Sequence, residues 1–279
     1  MTTVLVTGAT GRVGREVVAA LLRAGVSVRA LTRRPGAAGL PDQVEVVAGD
    51  LERPASVARA LEGVERLYLF PVPDSAEEVV AMAKRAGVRR IVVLSGALAD
   101  EDAGGDTGYA PVEAAVRASG LEWTLVRPGE FAANWLDYAP DVRARRQVRR
   151  PFAEAVSRPT HEADVAAVAV AALLEDGHAG CAYTFAGPQD LTVAQQVRII
   201  GEAIGEPVEL VELTPEQARQ EWYDPGQGVD HAVIDWLLDL YGSSTGGSPV
   251  TGAGDFERVV GRPPRTFAQW ASDHAADFR

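Results

Sequence analysis

Short apolar runs alternate along the first half of the chain with longer stretches in which apolar residues recur every three or four positions. The runs have the length and β-branched content of buried strands, and the longer stretches have the period of amphipathic helices. Each strand–helix unit takes about thirty residues, as a parallel crossover requires. The pattern therefore predicts an α/β fold built on a doubly wound parallel sheet.

The spacing predicts strands over residues 4–7, 26–32, 44–48, 66–70, 91–95, 123–126 and 183–186. It predicts helices over 13–23, 54–61, 76–85, 109–119, 162–174 and 267–278, a helix capped by Thr192 that runs through Ile204, and another that begins at Thr214-Pro215. Residues 208–213 alternate as in a strand. Residues 97–107 read as a surface loop, 129–160 as a long mixed connection, and 242–254 as a flexible link in a lid.

The alternation of strand-like and helix-like segments becomes irregular after Pro128, and this change divides the chain into two predicted parts. Residues 1–128 are predicted to form a dinucleotide-binding core. Residues 129–279 are predicted to form a smaller substrate-binding and lid region, partly interleaved with the core through the strand near 183–186.

A glycine-rich turn, Thr7-Gly8-Ala9-Thr10-Gly11-Arg12-Val13-Gly14, joins the first predicted strand to the first helix. Glycine permits a tight turn and close approach of the backbone to a pyrophosphate, and a helix N-terminus supplies free N–H groups and positive potential. In this context the spacing indicates a dinucleotide site of the Rossmann type, with Gly14 allowing close packing of helix on strand. A glycine turn in another kind of α/β protein is the alternative.

The end of the second strand reads Thr32-Arg33-Arg34, without the acidic residue that would bind the ribose hydroxyl of NAD. Because guanidinium groups suit a phosphate, we expect NADPH, unless the two arginines are simply a solvated turn. Asp50 is expected to accept from the adenine amino group, with Leu51 against the ring, although a surface cap would look the same. The expected cofactor residues are Gly8, Thr10, Gly11, Arg12, Val13, Thr32, Arg33, Arg34, Asp50, Leu51, Phe70, Pro71, Ser95 and Pro128.

Composition narrows the class of protein further. A formal net charge of −12 argues against a nucleic-acid or anionic-membrane surface. A lone cysteine, Cys181, leaves no internal disulfide or cysteine metal cluster, and we expect no metal. Because a strand is predicted from residue 4 and no apolar run reaches membrane-spanning length, we expect a cytoplasmic monomer or homodimer.

Several segments together resemble the atypical short-chain dehydrogenases/reductases, and in particular their NmrA-like, NADPH-binding branch. They are TGATGRVG, LTRRP, VVAGDL, the segment from Ile91 to Gly96, SGLEWTLVRPGEF, the segment from Pro159 to Asp164, and GRPPRTFAQWA. The resemblance covers nearly the whole chain apart from residues 220–254. It implies a Rossmann domain with a smaller C-terminal substrate region, in a branch that holds both working reductases and redox-sensing regulators.

The resemblance implies a catalytic Ser, Tyr and Lys, but only part of that set is present. Ser95 stands at the serine position, where it could polarise a substrate carbonyl or merely satisfy the strand end. Tyr109 begins the following helix, yet the residue four positions on is Glu113, whose carboxylate would raise the pKa of the tyrosine. Lys84 lies on the preceding helix, so the standard set is absent, and Ser95 and Tyr109 remain the catalytic candidates.

Candidate substrate residues follow the sixth strand or lie in the predicted lid. Phe131, Asn134 and Trp135 come after the Arg127-Pro128-Gly129 turn, His161 precedes the helix at 162, and Trp222 belongs to the lid. Aromatic faces suit a flat aromatic substrate, although Phe131 and Trp135 could be core residues and His161 a helix cap.

These features favour an NADPH-dependent reductase of a ketone or quinone in an aromatic small molecule, such as a polyketide-tailoring ketoreductase of antibiotic biosynthesis. Hydride transfer would proceed without the Tyr–Lys pair, and the substrate could supply its own proton. The alternative is a catalytically inactive NADP(H)-sensing regulator that binds a protein partner. A nucleotide-sugar epimerase or isomerase is disfavoured because the Tyr–Lys pair is missing.

Overall fold

The computed structural model describes residues 2–99, 108–227, 229–246 and 254–279. The chain divides into two compact units. The first unit contains Met1–Gly129, Glu162–Phe185 and Ala253–Pro263, and the second contains Glu130–His161, Ala186–Gly252 and Pro264–Arg279. The segments Glu162–Phe185 and Ala253–Pro263 therefore belong with the N-terminal part, whereas the sequence assigned most of both to the C-terminal region.

The strands of the described residues are β1 (Thr3–Val6), β2 (Ser27–Thr32), β3 (Glu45–Ala48), β4 (Arg66–Leu69), β5 (Arg90–Leu94), β6 (Glu122–Pro128), β7 (Gln147–Arg150), β8 (Val156–Ser157), β9 (Cys181–Phe185), β10 (Leu191–Thr192) and β11 (Glu209–Glu212). The α-helices are α1 (Arg12–Arg23), α2 (Ala58–Leu61), α3 (Ala76–Arg85), α4 (Tyr109–Ala118), α5 (Ala139–Arg145), α6 (Glu162–Leu174), α7 (Val193–Ile204), α8 (Pro215–Glu221), α9 (His231–Ser243), α10 (Gly254–Val260), α11 (Phe267–Asp273) and α12 (Ala275–Phe278).

A seven-stranded parallel sheet forms the centre of the first unit, in the order β3-β2-β1-β4-β5-β6-β9. Helix α1 packs against α6, and α3 packs against α4. The apolar stripe of α1 is buried, and a second apolar cluster joins the sheet to α2, α3 and α4. The predicted Rossmann fold is confirmed. The strand order reverses between β1 and β4, and ligands of such sheets bind at the carboxyl ends of the strands beside this reversal.

The second unit has a mainly helical core with two small sheets. Strand β7 pairs in parallel with β11, and β8 pairs antiparallel with β10. The largest buried side chains of its core are Trp135, Phe267, Trp270 and Phe278. Among the described residues, no helix combines the length and apolar character that crossing a bilayer requires.

Three predicted elements differ from the structure. The helix expected over 267–278 is interrupted at His274, where φ is −102° and ψ is 10°. The connection over 129–160 contains α5, β7 and β8, and the helix expected at 54 begins with a 3-10 turn. Parts of the surface loop at 97–107 and of the link at 242–254 lie outside the described residues. The described part of that link completes α9 and a 3-10 turn and then begins α10.

Candidate cofactor and active site

The glycine-rich turn between β1 and α1 forms a compact loop. Gly8 adopts φ of +61°, and its carbonyl accepts a hydrogen bond of 2.9 Å from the Gly11 N–H. A Cβ on Gly14 would lie 2.1 Å from the Gly8 carbonyl oxygen, so a side chain at this position would displace the loop. The glycine spacing thus performs the two geometric tasks expected of it, the tight turn and the close packing of helix on strand.

The N-terminus of α1 is open to an anion. Gly11 is its N-cap and supplies no side-chain cap, and the first turn holds no acidic residue. The backbone of this turn and the positive end of the helix dipole therefore favour a phosphate here. Arg12 and Thr10, both predicted cofactor residues, lie here, while Val13 is buried against the core.

The segment after β2 presents two exposed cations. The Thr32 hydroxyl accepts a 3.3 Å hydrogen bond from the Arg34 N–H. Within the part of the chain that the structure describes, neither the Arg33 nor the Arg34 guanidinium forms a hydrogen bond or an ion pair with another residue. Both guanidinium groups can therefore bind an anionic ligand without first giving up a protein partner.

The residues after β3 form a tight turn. Asp50 Oδ1 accepts from the Glu52 N–H at 3.1 Å, and the Asp50 N–H donates to Ser56 Oγ at 2.8 Å. Leu51 is buried. The carboxylate of Asp50 thus has a structural task as a turn residue, and its second oxygen is the one left for the predicted bond to adenine.

The end of β4 lies beside the glycine loop. The Phe70 N–H donates to Thr7 Oγ1 at 2.7 Å, and the Thr7 hydroxyl donates to the Tyr68 carbonyl at 3.0 Å. Phe70 packs against Gly8, where a Cβ would meet the Phe70 side chain at 3.0 Å, yet 44% of Phe70 is exposed. An exposed phenyl ring beside a phosphate-binding loop is the kind of surface that a bound ligand covers. Pro71 follows it and is half-buried.

A buried charged network joins β5, α4 and β6. Ser95 Oγ donates to Glu113 Oε1 at 2.6 Å, and Arg127 holds both carboxylate oxygens, through Nε at 2.8 Å and Nη2 at 2.5 Å. Burial alone would raise the pKa of Glu113, but the hydrogen bonds from Arg127 and Ser95 and the positive charge of Arg127 outweigh it, so the pKa lies below its ordinary value. Glu113 is therefore ionised at neutral pH.

This network changes the interpretation of Ser95. An ionised carboxylate can only accept, so the Ser95 hydroxyl hydrogen points at Glu113. The residue is 1% exposed. In this arrangement Ser95 cannot donate to a substrate carbonyl, and the geometry does not support the carbonyl-polarising role that the sequence suggested.

Tyr109 is the first residue of α4, as its position predicted, and Pro111 lies in the first turn of that helix. Its ring lies against the backbone at Gly96, where a Cβ would be 2.7 Å from Cε2. The pKa of Tyr109 is raised, which is the predicted direction, but the cause is burial and not Glu113. Tyr109 is therefore protonated at neutral pH, and it lacks the lysine that would make it a stronger acid.

The predicted substrate residues all belong to the second unit. Phe131 is half-buried and Asn134 is exposed. Trp135 is 1% exposed, and its indole Nε1 donates to Gln196 Oε1 at 2.6 Å, which favours the alternative of a core residue. His161 is buried, with Nε2 3.3 Å from Asp273 Oδ2, and Trp222 packs edge-on to Tyr241.

The sequence did not reveal the pairing of Glu113 with Arg127. The available signal was one acidic and one basic residue in otherwise apolar segments, an arrangement that usually indicates a buried ion pair. In the described residues, no group of His, Cys, Asp and Glu side chains could hold a metal ion.

These features fit a dinucleotide. The N-terminus of α1, the Gly8–Gly11 loop with Phe70 packed beside Gly8, and the exposed guanidinium groups of Arg33 and Arg34 can hold the pyrophosphate and a phosphorylated ribose. Pro128 ends β6 and is buried. The fold and these residues define a nucleotide-dependent protein of the doubly wound class.

Comparison with known proteins agrees with this class. The NAD(P)H-binding family matches residues 8–176. Two curated relatives match over nearly their whole length. A (4-alkanoyl-5-oxo-2,5-dihydrofuran-3-yl)methyl phosphate reductase of Streptomyces griseus is 37% identical over 99% of each chain, and an NAD(P)H azoreductase of Xenophilus azovorans is 35% identical over 99% of each.

A solved structure is also similar throughout. The NADPH-dependent quinone oxidoreductase of Escherichia coli, complexed with NADPH, is 25% identical, with a TM-score of 0.78 over 97% of this chain and 99% of its own. The chain belongs to the NAD(P)H-binding family, in its NmrA-like group of atypical short-chain dehydrogenases/reductases. It is an oxidoreductase whose cofactor is NAD(P)H.

Proposed function

We propose that the protein reduces a ketone or quinone of an aromatic small molecule with NADPH, and that it does so without a lysine-activated tyrosine. The observation that carries the proposal is the placement of Glu113, four residues after Tyr109, in a buried ion pair with Arg127 and a hydrogen bond with Ser95. A locked, ionised carboxylate at that position cannot lower the pKa of Tyr109 as a lysine would.

The choice of NADPH rests on the two unpaired cations after β2. Arg33 and Arg34 are exposed, and the strand end carries no acidic residue that would repel a phosphate. A guanidinium binds a ribose 2′-phosphate through charge-assisted hydrogen bonds that NADH cannot make.

NADPH held at this site would supply one hydride, and with one added proton a quinone would become a hydroquinone and a ketone would become an alcohol. The chain's own contribution is to hold the cofactor in the loop between β1 and α1 and to fix the carboxyl end of β5 through the hydrogen bond between Ser95 and Glu113. The proton comes from solvent or from a phenol of the substrate itself. Tyr109 has its pKa raised by burial, and it can donate a hydrogen bond but is a weak acid.

The named activities of the relatives support a conjugated acceptor. One relative is named for an azo compound, one for quinones and one for an oxo-dihydrofuran phosphate. An acceptor of this kind delocalises the negative charge that arrives with hydride, which reduces the need for a strong protein acid.

The test is NADPH oxidation by the purified protein, followed by absorbance, against naphthoquinones and polycyclic aromatic ketones, with NADH in parallel. We expect turnover with NADPH on at least one of these classes. Tight NADPH binding without turnover across the panel would overturn the proposal and favour an NADP(H)-sensing regulator.

Arg33→Ala tests the cofactor assignment. Losing a charge-assisted phosphate contact should raise the KM for NADPH by about 10- to 100-fold and leave the KM for NADH nearly unchanged. Arg59→Ala is the charge-matched control, because Arg59 is an exposed residue of α2. An equal loss for both cofactors would contradict the 2′-phosphate assignment.

A further inference from the structure

Arg15, in the first turn of α1, binds three backbone carbonyl groups at once. Its Nε donates to the Thr10 carbonyl at 3.1 Å, its Nη1 to the Gly39 carbonyl at 2.8 Å, and its Nη2 to the Ala38 carbonyl at 2.8 Å. The planar fork of a guanidinium can hold three acceptors in one fixed arrangement, whereas an ammonium cannot.

The three carbonyl groups belong to two different loops. Thr10 lies in the glycine loop that is proposed to hold the pyrophosphate. Ala38 and Gly39 end the segment that leaves β2 and begins with Arg33 and Arg34. Gly39 adopts φ of +56°, so this end of the segment is irregular backbone without a strand or α-helix to hold it. Arg15 therefore links the pyrophosphate loop to the segment that carries the two exposed cations.

We propose that Arg15 is a positioning residue that determines the preference for NADPH over NADH. The inference rests on the NADPH preference proposed above. All three donor nitrogen atoms of Arg15 bind protein carbonyl groups, so the residue acts on the cofactor through the segment 33–39. When that segment is already ordered, the 2′-phosphate does not have to order it on binding. The conformational entropy that ordering would cost is then not lost, and NADPH binds more tightly.

The experiment compares Arg15→Met and Arg15→Lys with Arg23→Met. Arg23 is the matched control because it lies in the last turn of the same helix, is exposed, and forms no side-chain hydrogen bond or ion pair within the described residues. Dissociation constants for NADPH, NADH and 2′,5′-ADP are measured by titration, and each variant's melting temperature is recorded.

Removal of the three hydrogen bonds should weaken binding of NADPH and of 2′,5′-ADP roughly tenfold, and binding of NADH by less than about threefold. Arg15→Lys should behave like Arg15→Met although it keeps the charge, and Arg23→Met should change none of the three constants. If the melting temperature of Arg15→Met falls below the assay temperature, the affinities of Arg15→Lys decide the question. An unchanged ratio of NADH to NADPH affinity in Arg15→Lys would overturn the inference.

A double-mutant cycle with Arg33→Ala tests the route of the effect. If Arg15 acts by holding the segment that carries Arg33, Arg15→Met should have little further effect on NADPH affinity in the Arg33→Ala background. Full additivity would overturn the inference. A wild-type protein that binds NADPH and NADH equally would instead overturn the proposed cofactor, so the two failures are distinguishable.

Discussion

Glu113 shows what a single residue position can and cannot reveal. Its place four residues after Tyr109 is visible in the sequence, where the standard catalytic set would have a lysine. The partners of Glu113 could not be predicted, because Ser95 and Arg127 lie 18 and 14 residues away and reach it only when β5, α4 and β6 are packed together. The sequence therefore predicts that Tyr109 is not activated by a lysine, and the structure shows that Glu113 binds Ser95 and Arg127.

Replacing Glu113 by Gln should be strongly destabilising. The substitution keeps the shape of the side chain but removes the negative charge that faces the Arg127 guanidinium, which is 8% exposed. Removing one partner of a buried pair costs about 3–5 kcal/mol of unfolding free energy. Urea unfolding of Glu113→Gln against wild type measures this loss. The control is Arg117→Met, since Arg117 is 47% exposed and 3.4 Å from Glu113, and it should cost less than about 1 kcal/mol.

The ion pair of Glu113 with Arg127 should make the difference in unfolding free energy between wild type and Glu113→Gln depend on pH. The pKa of Glu113 is lowered in the folded protein, so its stabilisation is fully present above the ordinary glutamate pKa, about 4, and is lost as the pH falls through the lowered value. The gap in unfolding free energy should therefore narrow on acidification. A gap that is small at pH 7, or that widens towards acid pH, would contradict the ionised pair.

At the scale of elements, the sequence predicted a helix boundary where the signal for it lay within that helix. Thr192 caps α7 in a capping box with Gln195, as its position predicted. The break at His274 was missed because the apolar spacing of α11 continues into α12, with Trp270 and Phe278 both buried in one core. Periodicity reports which face is buried, and it does not report a single residue that leaves helical geometry.

The junction of β1 and α1 depends on Gly14 in a way that can be measured. A Cβ at Gly14 would lie 2.1 Å from the Gly8 carbonyl oxygen and 2.9 Å from Ala9 Cα, both in backbone that cannot rotate away. Gly14→Ala should therefore displace the loop and lower the unfolding free energy by about 1–3 kcal/mol. It should also weaken the binding of NADPH and of NADH to the same extent. Differential scanning calorimetry and titration with both cofactors measure these effects.

Gly254→Ala is the matched control for that substitution. Gly254 begins α10, and a Cβ built there meets no atom of the described residues within 4 Å, so alanine should be neutral or slightly stabilising. If Gly14→Ala weakened NADPH alone, the loop would be acting on the 2′-phosphate and not on the pyrophosphate that both cofactors share.

At the scale of the whole molecule, the sequence predicted the first unit much better than the second. The large sheet is built from consecutive strand–helix units, and each unit can be recognised from its own pattern. The second unit brings together three separate segments, and its strands β7 and β11 pair although Gln147 and Glu209 are far apart in sequence. Neither that pairing nor the burial of Trp135 is encoded in local periodicity, which explains why an aromatic core residue resembled a substrate contact.

The two buried tryptophans of the second unit should respond differently to the same substitution. Trp135 Nε1 donates to Gln196 Oε1 at 2.6 Å, and Gln196 is itself buried, whereas Trp270 Nε1 is buried and has no hydrogen-bond partner in the described residues. Phenylalanine keeps an aromatic face at both sites. Trp135→Phe leaves a buried acceptor unpaired, which costs about 1–3 kcal/mol beyond the change in volume, and Trp270→Phe removes only an N–H that was already unsatisfied.

Urea unfolding midpoints of the two variants measure the difference, and Trp135→Phe should unfold at the lower urea concentration. Because the two substitutions remove the same atoms from fully buried positions of one core, the change in volume largely cancels in the comparison. Equal losses would mean that the Gln196 side chain turns to another donor when the indole is removed. In that case the hydrogen bond between Trp135 and Gln196 contributes little to the stability of the second unit. The burial of the indole ring alone would then account for a tryptophan at position 135.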